Sequence, residues 1–296
     1  MRSGFVSVIG RPNVGKSTLL NGIIGEKIAI ATDKPQTTRN QIRGILNTRD
    51  DNEEYQIVFI DTPGIHKPKN KLGEYMSGTA LNTLNEVDAV LFLVDSMYSE
   101  KGGDAFIIEA LKEVNTPKYL IINKIDKMPP DDFQKTFELY ENMNIFEKVM
   151  GISAKEGTHL DALIGSVKSL IKEGPQYFPG DAITDHPERF IVTEIIREKL
   201  LMYLQQEVPH GVAVEIEKYE EKPNITNISA LIYTEKKSHK GIIIGKEGRK
   251  LKGIGKSARE EIEALIGTKV YLELFVKIKE KWRDSDFMLG SLGYKD

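Results

Sequence analysis

A short glycine-rich segment near the N-terminus contains the residue types that bind phosphate groups. Residues 10–17 read Gly-Arg-Pro-Asn-Val-Gly-Lys-Ser, which matches the P-loop pattern. The segment lies between the apolar run Phe5–Ile9 and a helix-like stretch, so backbone N–H groups and the positive end of a helix dipole would face phosphate oxygens. Lys16 would contact the β- and γ-phosphates, and Ser17 would offer its hydroxyl to Mg²⁺. The residues assigned to this phosphate site are Gly10, Arg11, Pro12, Asn13, Val14, Gly15, Lys16, Ser17 and Thr18.

Two further segments supply oxygen atoms for the same Mg²⁺ ion. Asp61-Thr62-Pro63-Gly64 closes the apolar run Tyr55–Ile60. A carboxylate at the end of a parallel strand beside a P-loop can hold Mg²⁺ through a water molecule, and Gly64 lets its backbone approach the γ-phosphate. A threonine after the first helix would also reach the ion, and we favour Thr38 by position, with Thr37 as the alternative. The predicted metal ligands are Ser17, Thr38 and Asp61, and this loop adds Thr62, Pro63, Gly64 and Ile65 to the nucleotide-binding residues.

Two later motifs have the chemistry of guanine recognition. Asn123-Lys124-Ile125-Asp126 follows the apolar run Lys118–Ile122. The Asp126 carboxylate can accept hydrogen bonds from the N1–H and the 2-amino group of guanine, whereas adenine has neither donor there and would leave a buried carboxylate unpaired. Lys124 would lie along the base or the P-loop, and the loop at 153–155 offers backbone N–H groups to guanine O6. The residues assigned to the base are Asn123, Lys124, Ile125, Asp126, Ser153, Ala154 and Lys155.

These four motifs, in this order at strand ends, resemble the GTP-binding domain of the translation-factor-like GTPases over residues 1–173. The resemblance implies GTP hydrolysis with Mg²⁺, but Ile65 stands where many such enzymes have a glutamine that orients the attacking water. His66 is one substitute. Asn13 is another, because in GTPases with this P-loop sequence the asparagine resembles a K⁺ ligand; the alternative is a loop-shaping hydrogen bond. We expect slow hydrolysis, with Lys16, Thr38, Gly64 and Asn13 as catalytic residues and Mg²⁺ and K⁺ as cofactors.

The elements that must position these residues alternate between apolar runs and helical patterns. Such β/α alternation predicts a mostly parallel sheet with helices on both faces over residues 1–173. Every predicted strand except Tyr55–Ile60 is followed by a helix-like stretch. Gln41–Asn47 is a candidate strand that would pair with Tyr55–Ile60. Three prolines and two glycines predict a linker at 174–187. The remaining strands are predicted at Ala89–Val94, Lys118–Ile122 and Val149–Ile152, and the helices at Lys16–Ile24, Asp104–Glu113, Asp131–Met143 and Leu160–Ile171.

Residues 188–296 follow a different pattern, which predicts a smaller α+β domain with the order α-β-β-α-α-β. Its two central helices are joined by Gly245-Lys246-Glu247-Gly248, and a Gly-x-x-Gly loop in this topology is typical of a KH domain, which clamps single-stranded nucleic acid. Lys236–Arg259 contains nine basic residues and one acid, so charge would support phosphate binding. Glu247 departs from this pattern, since an acid repels phosphate. The predicted RNA-binding residues are Ile242, Ile244, Gly245, Lys246, Gly248, Arg249, Lys250 and Lys252.

Composition narrows the function classes. The 296 residues include no cysteine, which excludes disulfides, zinc fingers, iron–sulfur clusters and thiol catalysis. The net charge of −3 alone argues against a nucleic-acid-binding protein, so any such binding must come from the local basic segment. Apolar runs are far shorter than a membrane span and no signal peptide is recognisable, which predicts a cytoplasmic protein.

A P-loop GTPase followed by a KH domain is similar to the Era family of ribosome-assembly GTPases, and the motifs fit that family over nearly the whole chain. The resemblance implies binding to 16S ribosomal RNA near its 3′ end, a role in small (30S) subunit assembly, and peripheral contact with the inner membrane. No oligomer is predicted. The alternative is a signalling or membrane-associated GTPase whose C-terminal domain binds protein or lipid headgroups.

Overall fold

A computed structural model describes residues 1–34, 36–50, 53–65, 68–96, 103–206 and 208–294. The chain divides into two compact units. The first comprises Met1–Ala31, Thr38–Pro68 and Met76–Asp185, and the second comprises Thr32–Thr37, Lys69–Tyr75 and His186–Asp296. In the part of the chain that is described, no helix is long and apolar enough to cross a membrane.

The first sheet has six strands in the order β2-β3-β1-β4-β5-β6, and only β2 runs antiparallel to its neighbour. This is the mostly parallel α/β sheet that the alternation of elements predicts. Its strands are β1 (Arg2–Gly10), β2 (Ile42–Asp50), β3 (Glu53–Asp61), β4 (Ala89–Val94), β5 (Lys118–Ile122) and β6 (Lys148–Gly151). The helices in this part of the chain are α1 (Lys16–Ile24), α2 (Lys71–Asn82), α3 (Gly103–Lys112), α4 (Pro130–Glu141) and α5 (Leu160–Lys168).

The carboxyl ends of the parallel strands carry the predicted motifs. Strands β1, β4 and β5 are buried almost throughout, because helices cover a parallel sheet and such strands become continuous apolar runs. The P-loop follows β1, and the Asn123–Asp126 loop follows β5. The loop of residues 61–64, here called the DTPG loop, begins at the last residue of β3. All three loops therefore leave the sheet at the same edge.

Helix α2 corrects one expectation, since the strand at Tyr55–Ile60 is followed by a helix after all. Leu72, Met76 and Ala80 are buried at a spacing of four residues, which is the apolar face of a helix. The sequence hides this face because Gly73 and Gly78 lower the helix propensity of the segment.

The segment predicted as a linker is without a named helix or strand but is held to the first unit as far as Asp185. The Gln56 side-chain oxygen accepts hydrogen bonds from the backbone N–H groups of Tyr177 and Phe178 at 2.8 and 2.9 Å. The backbone N–H of Ile45 donates to the carbonyl of Ile183 at 2.9 Å. Residues 177–183 are therefore tied to β2 and β3, while the linker role of 174–187 stays a prediction.

The second unit contains a three-stranded sheet in the order β7-β8-β9, with β7 antiparallel and β9 parallel to β8. Ile196, Ile254 and Ile232 are buried in one core that joins its helices to the sheet. The order of the main elements is the predicted α-β-β-α-α-β. They are α6 (Glu188–Tyr203), β7 (Ala213–Lys222), β8 (Ile225–Thr234), α7 (Lys237–Ile244), α8 (Arg249–Ile266) and β9 (Lys269–Ile278), followed by the short helix α9 (Asp286–Ser291).

Candidate functional site

Gly15 of the P-loop and Gly64 of the DTPG loop permit close approach of three loops. Gly15 has a φ of 103°, and a Cβ there would lie 2.2 Å from the side-chain nitrogen of Asn123. A Cβ on Gly64 would lie 2.7 Å from the backbone nitrogen of Pro12. The P-loop therefore packs against both the DTPG loop and the Asn123–Asp126 loop, and any larger residue at either glycine would separate them.

Lys16 is buried at the base of the P-loop. Its ammonium group donates hydrogen bonds to the carbonyls of Gly10 and Arg11 at 3.2 and 3.0 Å. Burial lowers the pKa of Lys16 to about 8, although the carboxylate of Asp61 acts in the opposite direction. Phosphate oxygens placed at this ammonium group would favour its charged form, which is the electrostatic role expected of a P-loop lysine.

Three side-chain oxygens converge beside the P-loop. Ser17 Oγ donates to Asp61 Oδ2 at 2.6 Å and lies 2.8 Å from Thr38 Oγ1. Asp61 Oδ1 is buried without a hydrogen-bond partner. Burial raises the pKa of Asp61 to about 6, against the opposing effects of Lys16, Ser17 and Thr38. A set of hydroxyl and carboxylate oxygens with one orphaned acceptor fits a hard cation such as Mg²⁺, which would supply the missing charge.

The two candidate threonines have different surroundings. The Thr38 hydroxyl lies 3.3 Å from Asp61 Oδ2, within the oxygen cluster. The Thr37 hydroxyl instead donates to the carbonyl of Lys34 at 2.6 Å and lies 2.7 Å from the hydroxyl of Thr32. This geometry favours Thr38 as the metal-ligand candidate.

The guanine-recognition residues are linked by side-chain hydrogen bonds. Ser153 Oγ donates to Asp126 Oδ1 at 2.6 Å, and this bond lowers the pKa of Asp126 and keeps it a carboxylate. Asn123 donates to the carbonyl of Val14 at 2.8 Å and accepts from the backbone N–H of Ala154 at 2.9 Å. Asp126 itself is exposed rather than buried, so a bound base would have to cover it.

The residue after the DTPG loop cannot take part in catalysis through its side chain. Ile65 is buried in the hydrophobic core, and its backbone N–H donates to the carbonyl of Gly10 at 3.2 Å. His66, the first substitute for the missing glutamine, lies outside the described residues. Asn13, the second, lies in the P-loop with a φ of 67°, and its carbonyl accepts a hydrogen bond from Lys124.

The Gly-x-x-Gly loop has the backbone conformation that its glycines suggest. Gly245 and Gly248 have φ values of 73° and 74°. A Cβ on Gly245 would lie 2.7 Å from the Cβ of Lys250, whereas nothing lies within 4 Å of a Cβ on Gly248. Gly245 is therefore required by the packing of the loop itself, and Gly248 leaves an open face over which a phosphate backbone can pass.

The predicted cations of this loop are accessible, and its acid is neutralised. Lys246, Arg249 and Lys252 are exposed, while Lys250 is partly buried. Glu247 Oε2 forms an ion pair with Arg249 Nη2 at 2.8 Å, so the departure from the basic pattern offsets one cation.

The three consecutive isoleucines before the loop separate into different environments. Ile243 belongs to the hydrophobic core. Ile244 is partly buried and packs against the same core, and Ile242 is exposed. Of the two isoleucines predicted to bind RNA, Ile242 therefore has more free surface for a base than Ile244.

A groove continues from the Gly-x-x-Gly loop along α8 and the edge strand β9, and it has a volume of 760 Å³. It brings exposed cations together with an exposed tyrosine, the combination by which single-stranded nucleic acids are bound through phosphates and stacked bases. The RNA-binding residues predicted from the sequence do not include Lys256, Arg259 and Tyr271, which line this groove, although the first two lie within the basic segment. The lining includes Lys252, Lys256, Arg259, Tyr271, Leu272 and Leu274.

Sequence comparisons with known proteins agree with the fold and the site described above. Residues 5–124 match the family model described as a 50S ribosome-binding GTPase, and residues 207–283 match the KH domain model. The chain is 60% identical to GTPase Era of Alkaliphilus metalliredigens and 59% identical to GTPase Era of Alkaliphilus oremlandii. Each of these two alignments covers 99% of this chain and 99% of the relative.

Solved structures agree with the sequence comparison. The chain superposes on a variant of Aquifex aeolicus Era bound to GDP·AlF₄⁻ with a TM-score of 0.94 at 38% identity, with 100% of both chains covered. It matches Era in complex with MgGDPNP and nucleotides 1506–1542 of 16S ribosomal RNA with the same TM-score, identity and coverage. The predicted fold class and GTPase activity are thereby confirmed, and the chain belongs to the Era family of GTPases.

Proposed function

We propose that this GTPase binds the single-stranded 3′ region of 16S ribosomal RNA and assists assembly of the 30S subunit. The observation that carries the proposal is the open Gly248 face, which is continuous with a groove of cations and an exposed tyrosine. Support comes from the relative solved with MgGDPNP and a 16S RNA fragment. The same chain holds the guanine-nucleotide motifs, so nucleotide state and RNA binding reside in one molecule.

The nucleotide site gives each residue a role in the GTPase reaction. Ser17, Thr38 and Asp61 would hold Mg²⁺, which would bridge the β- and γ-phosphates and neutralise developing charge. Lys16 would stabilise the same phosphate oxygens, and the backbone at Gly64 would approach the γ-phosphate. Asp126, held by Ser153, would accept the two donors of the guanine edge.

RNA binding with sequence preference is the direct test. We expect the full chain to bind an RNA of the 16S 3′-terminal sequence about tenfold or more tightly than a scrambled RNA of equal length and composition. Fluorescence anisotropy at several salt concentrations, with GDP and with a non-hydrolysable GTP analogue, would measure both affinities. Equal affinity for the two RNAs would contradict the proposal.

Vesicles with anionic headgroups distinguish the alternative function in the same assay. If the basic segment binds lipid headgroups, the protein will bind these vesicles, and the vesicles will displace both RNAs equally. Peripheral membrane contact and cytoplasmic location stay predictions.

Potassium dependence tests the proposed role of Asn13. If Asn13 helps to hold K⁺ near the phosphates, GTP turnover should be roughly tenfold faster in K⁺ than in Na⁺, because the ion would supply positive charge in the transition state. Turnover is measured in both salts at equal ionic strength. Asn13→Ala should lose the difference between the salts while still binding GDP.

Equal rates in the two salts would rule out the potassium role. Stimulation that persists in Asn13→Ala would rule out Asn13 as the ligand.

A further inference from the structure

Asp95, the residue after β4, joins two nucleotide-binding loops through one carboxylate. Its Oδ1 accepts a hydrogen bond from Arg11 Nη2 of the P-loop at 3.2 Å. Its Oδ2 accepts from Lys124 Nζ, in the guanine-recognition loop, at 2.7 Å. The Asp95 side chain is only 22% exposed, so these are partly desolvated, charge-assisted contacts rather than a surface ion pair.

Arg11 is anchored on its other side by the start of α3. Arg11 Nε donates to Asp104 Oδ1 at 2.8 Å, and Asp104 is almost fully buried. Helix α3 begins at Gly103, where a Cβ would lie 2.9 Å from Arg11 Cδ. The guanidinium group thus lies between two carboxylates, and only Asp95 of the two also contacts the guanine-recognition loop among the described residues.

Lys124 is fixed at both its backbone and its ammonium group. Its φ of 63° is left-handed, and its Nζ donates to the carbonyl of Asn13 at 2.6 Å in addition to Asp95. A free lysine side chain loses rotamer entropy when it is immobilised. Because Asp95 and the Asn13 carbonyl themselves restrict the Lys124 side chain, less of that entropy remains to be lost when a nucleotide binds.

We propose that Asp95 is a positioning residue for guanine nucleotides, which holds the Lys124 ammonium group so that the lysine stem is set against the bound base. The inference rests on the guanine site of the proposed function, and the Asp126→Asn experiment argued below tests that site independently. Asp95 acts through Lys124 and does not itself touch the nucleotide.

Asp95→Asn is the informative substitution because it keeps the shape but leaves one acceptor oxygen for two cations. We expect GDP release from the full chain to become about tenfold faster, since a hydrogen bond between charged groups is lost. Release is followed with a fluorescent GDP analogue after excess unlabelled GDP is added. KM for GTP should rise by a similar factor while kcat at saturating GTP stays unchanged.

Two matched variants separate positioning from a general structural effect. Asp104→Asn also removes a negative charge beside Arg11 but leaves Lys124 untouched, so GDP release should stay at the wild-type rate. In a Lys124→Met background the ammonium group is absent, and Asp95→Asn should add no further acceleration.

Release at the wild-type rate in Asp95→Asn, or an equal acceleration in Asp104→Asn, would overturn the proposal. So would an undiminished effect of Asp95→Asn in the Lys124→Met background. Asp95→Ala removes both acceptors and must accelerate release at least as much. Thermal unfolding of the nucleotide-free protein shows whether each variant is folded, and Asp95→Ala replaces Asp95→Asn in the test if Asp95→Asn is not.

Discussion

Gly248→Asp should lower RNA affinity by about a hundredfold or more while GTP hydrolysis is unchanged. The φ of 74° at Gly248 is a conformation that aspartate tolerates better than most residues, and nothing lies within 4 Å of the new Cβ, so the domain should fold. The open space is where a phosphate backbone would pass, and a carboxylate there would both occupy it and repel phosphate. Anisotropy with the 16S 3′-terminal RNA measures the loss.

Gly267→Asp is the matched control at the other end of α8. Gly267 has a φ of 71°, and a Cβ added there would also have nothing within 4 Å. An added acid is less favourable near a helix C-terminus than near an N-terminus, so the control costs at least as much stability as Gly248→Asp. If Gly267→Asp keeps the wild-type RNA affinity while Gly248→Asp loses it, the loss of RNA binding is due to the Gly-x-x-Gly loop. Equal affinities in both variants would contradict the KH interface.

Gly245 is a poorer test of the same loop. A Cβ at Gly245 would lie 2.7 Å from the Cβ of Lys250, so any substitution there would also displace the start of α8. A loss of RNA binding would then report altered packing as much as altered contact with phosphate. The structure therefore separates two glycines that the sequence motif treats as equivalent.

The nucleotide motifs could be predicted from the sequence because each is short, contiguous and placed at the end of a strand. Parallel strands end at one edge, so recognising the β/α alternation is enough to bring Lys16, Asp61 and Asp126 to that edge. From the sequence, the preference for Thr38 depends on position alone, and the structure adds the physical reason, which is the hydroxyl and carboxylate cluster with Ser17 and Asp61.

Relations between side chains far apart in the chain could not be predicted in this way. Nothing in the local pattern around Asp95 or Asp104 shows that both carboxylates meet Arg11, more than 80 residues earlier. The groove has the same origin, because Tyr271 joins the cations of α8 only when β9 packs beside that helix. The local pattern also could not show that Ile243 faces the core while its neighbour Ile242 is exposed, since three identical residues carry no periodicity.

Asp126→Asn should convert a guanine site into a xanthine site. A carboxylate presents two acceptors to the N1–H and the 2-amino group, whereas an asparagine presents one acceptor and one donor, and the donor faces the amino group of guanine. GTP affinity should fall roughly a thousandfold, because a buried donor is left opposite another donor. Xanthosine triphosphate carries an oxygen at C2 that can accept from the amide, so its affinity should rise by a comparable factor.

Ser153→Ala is the control that separates recognition from support. Ser153 Oγ donates to Asp126 Oδ1 at 2.6 Å, and its loss leaves both acceptors of Asp126 in place. GTP affinity should fall about tenfold or less, and the preference for GTP over xanthosine triphosphate should remain. Competition against a fluorescent GDP analogue measures both nucleotides for each variant. If Asp126 contacts the guanine edge, exchanging one of its two acceptors for a donor must shift the preference toward xanthosine triphosphate. An Asp126→Asn variant that still prefers GTP would therefore show that Asp126 does not recognise the base.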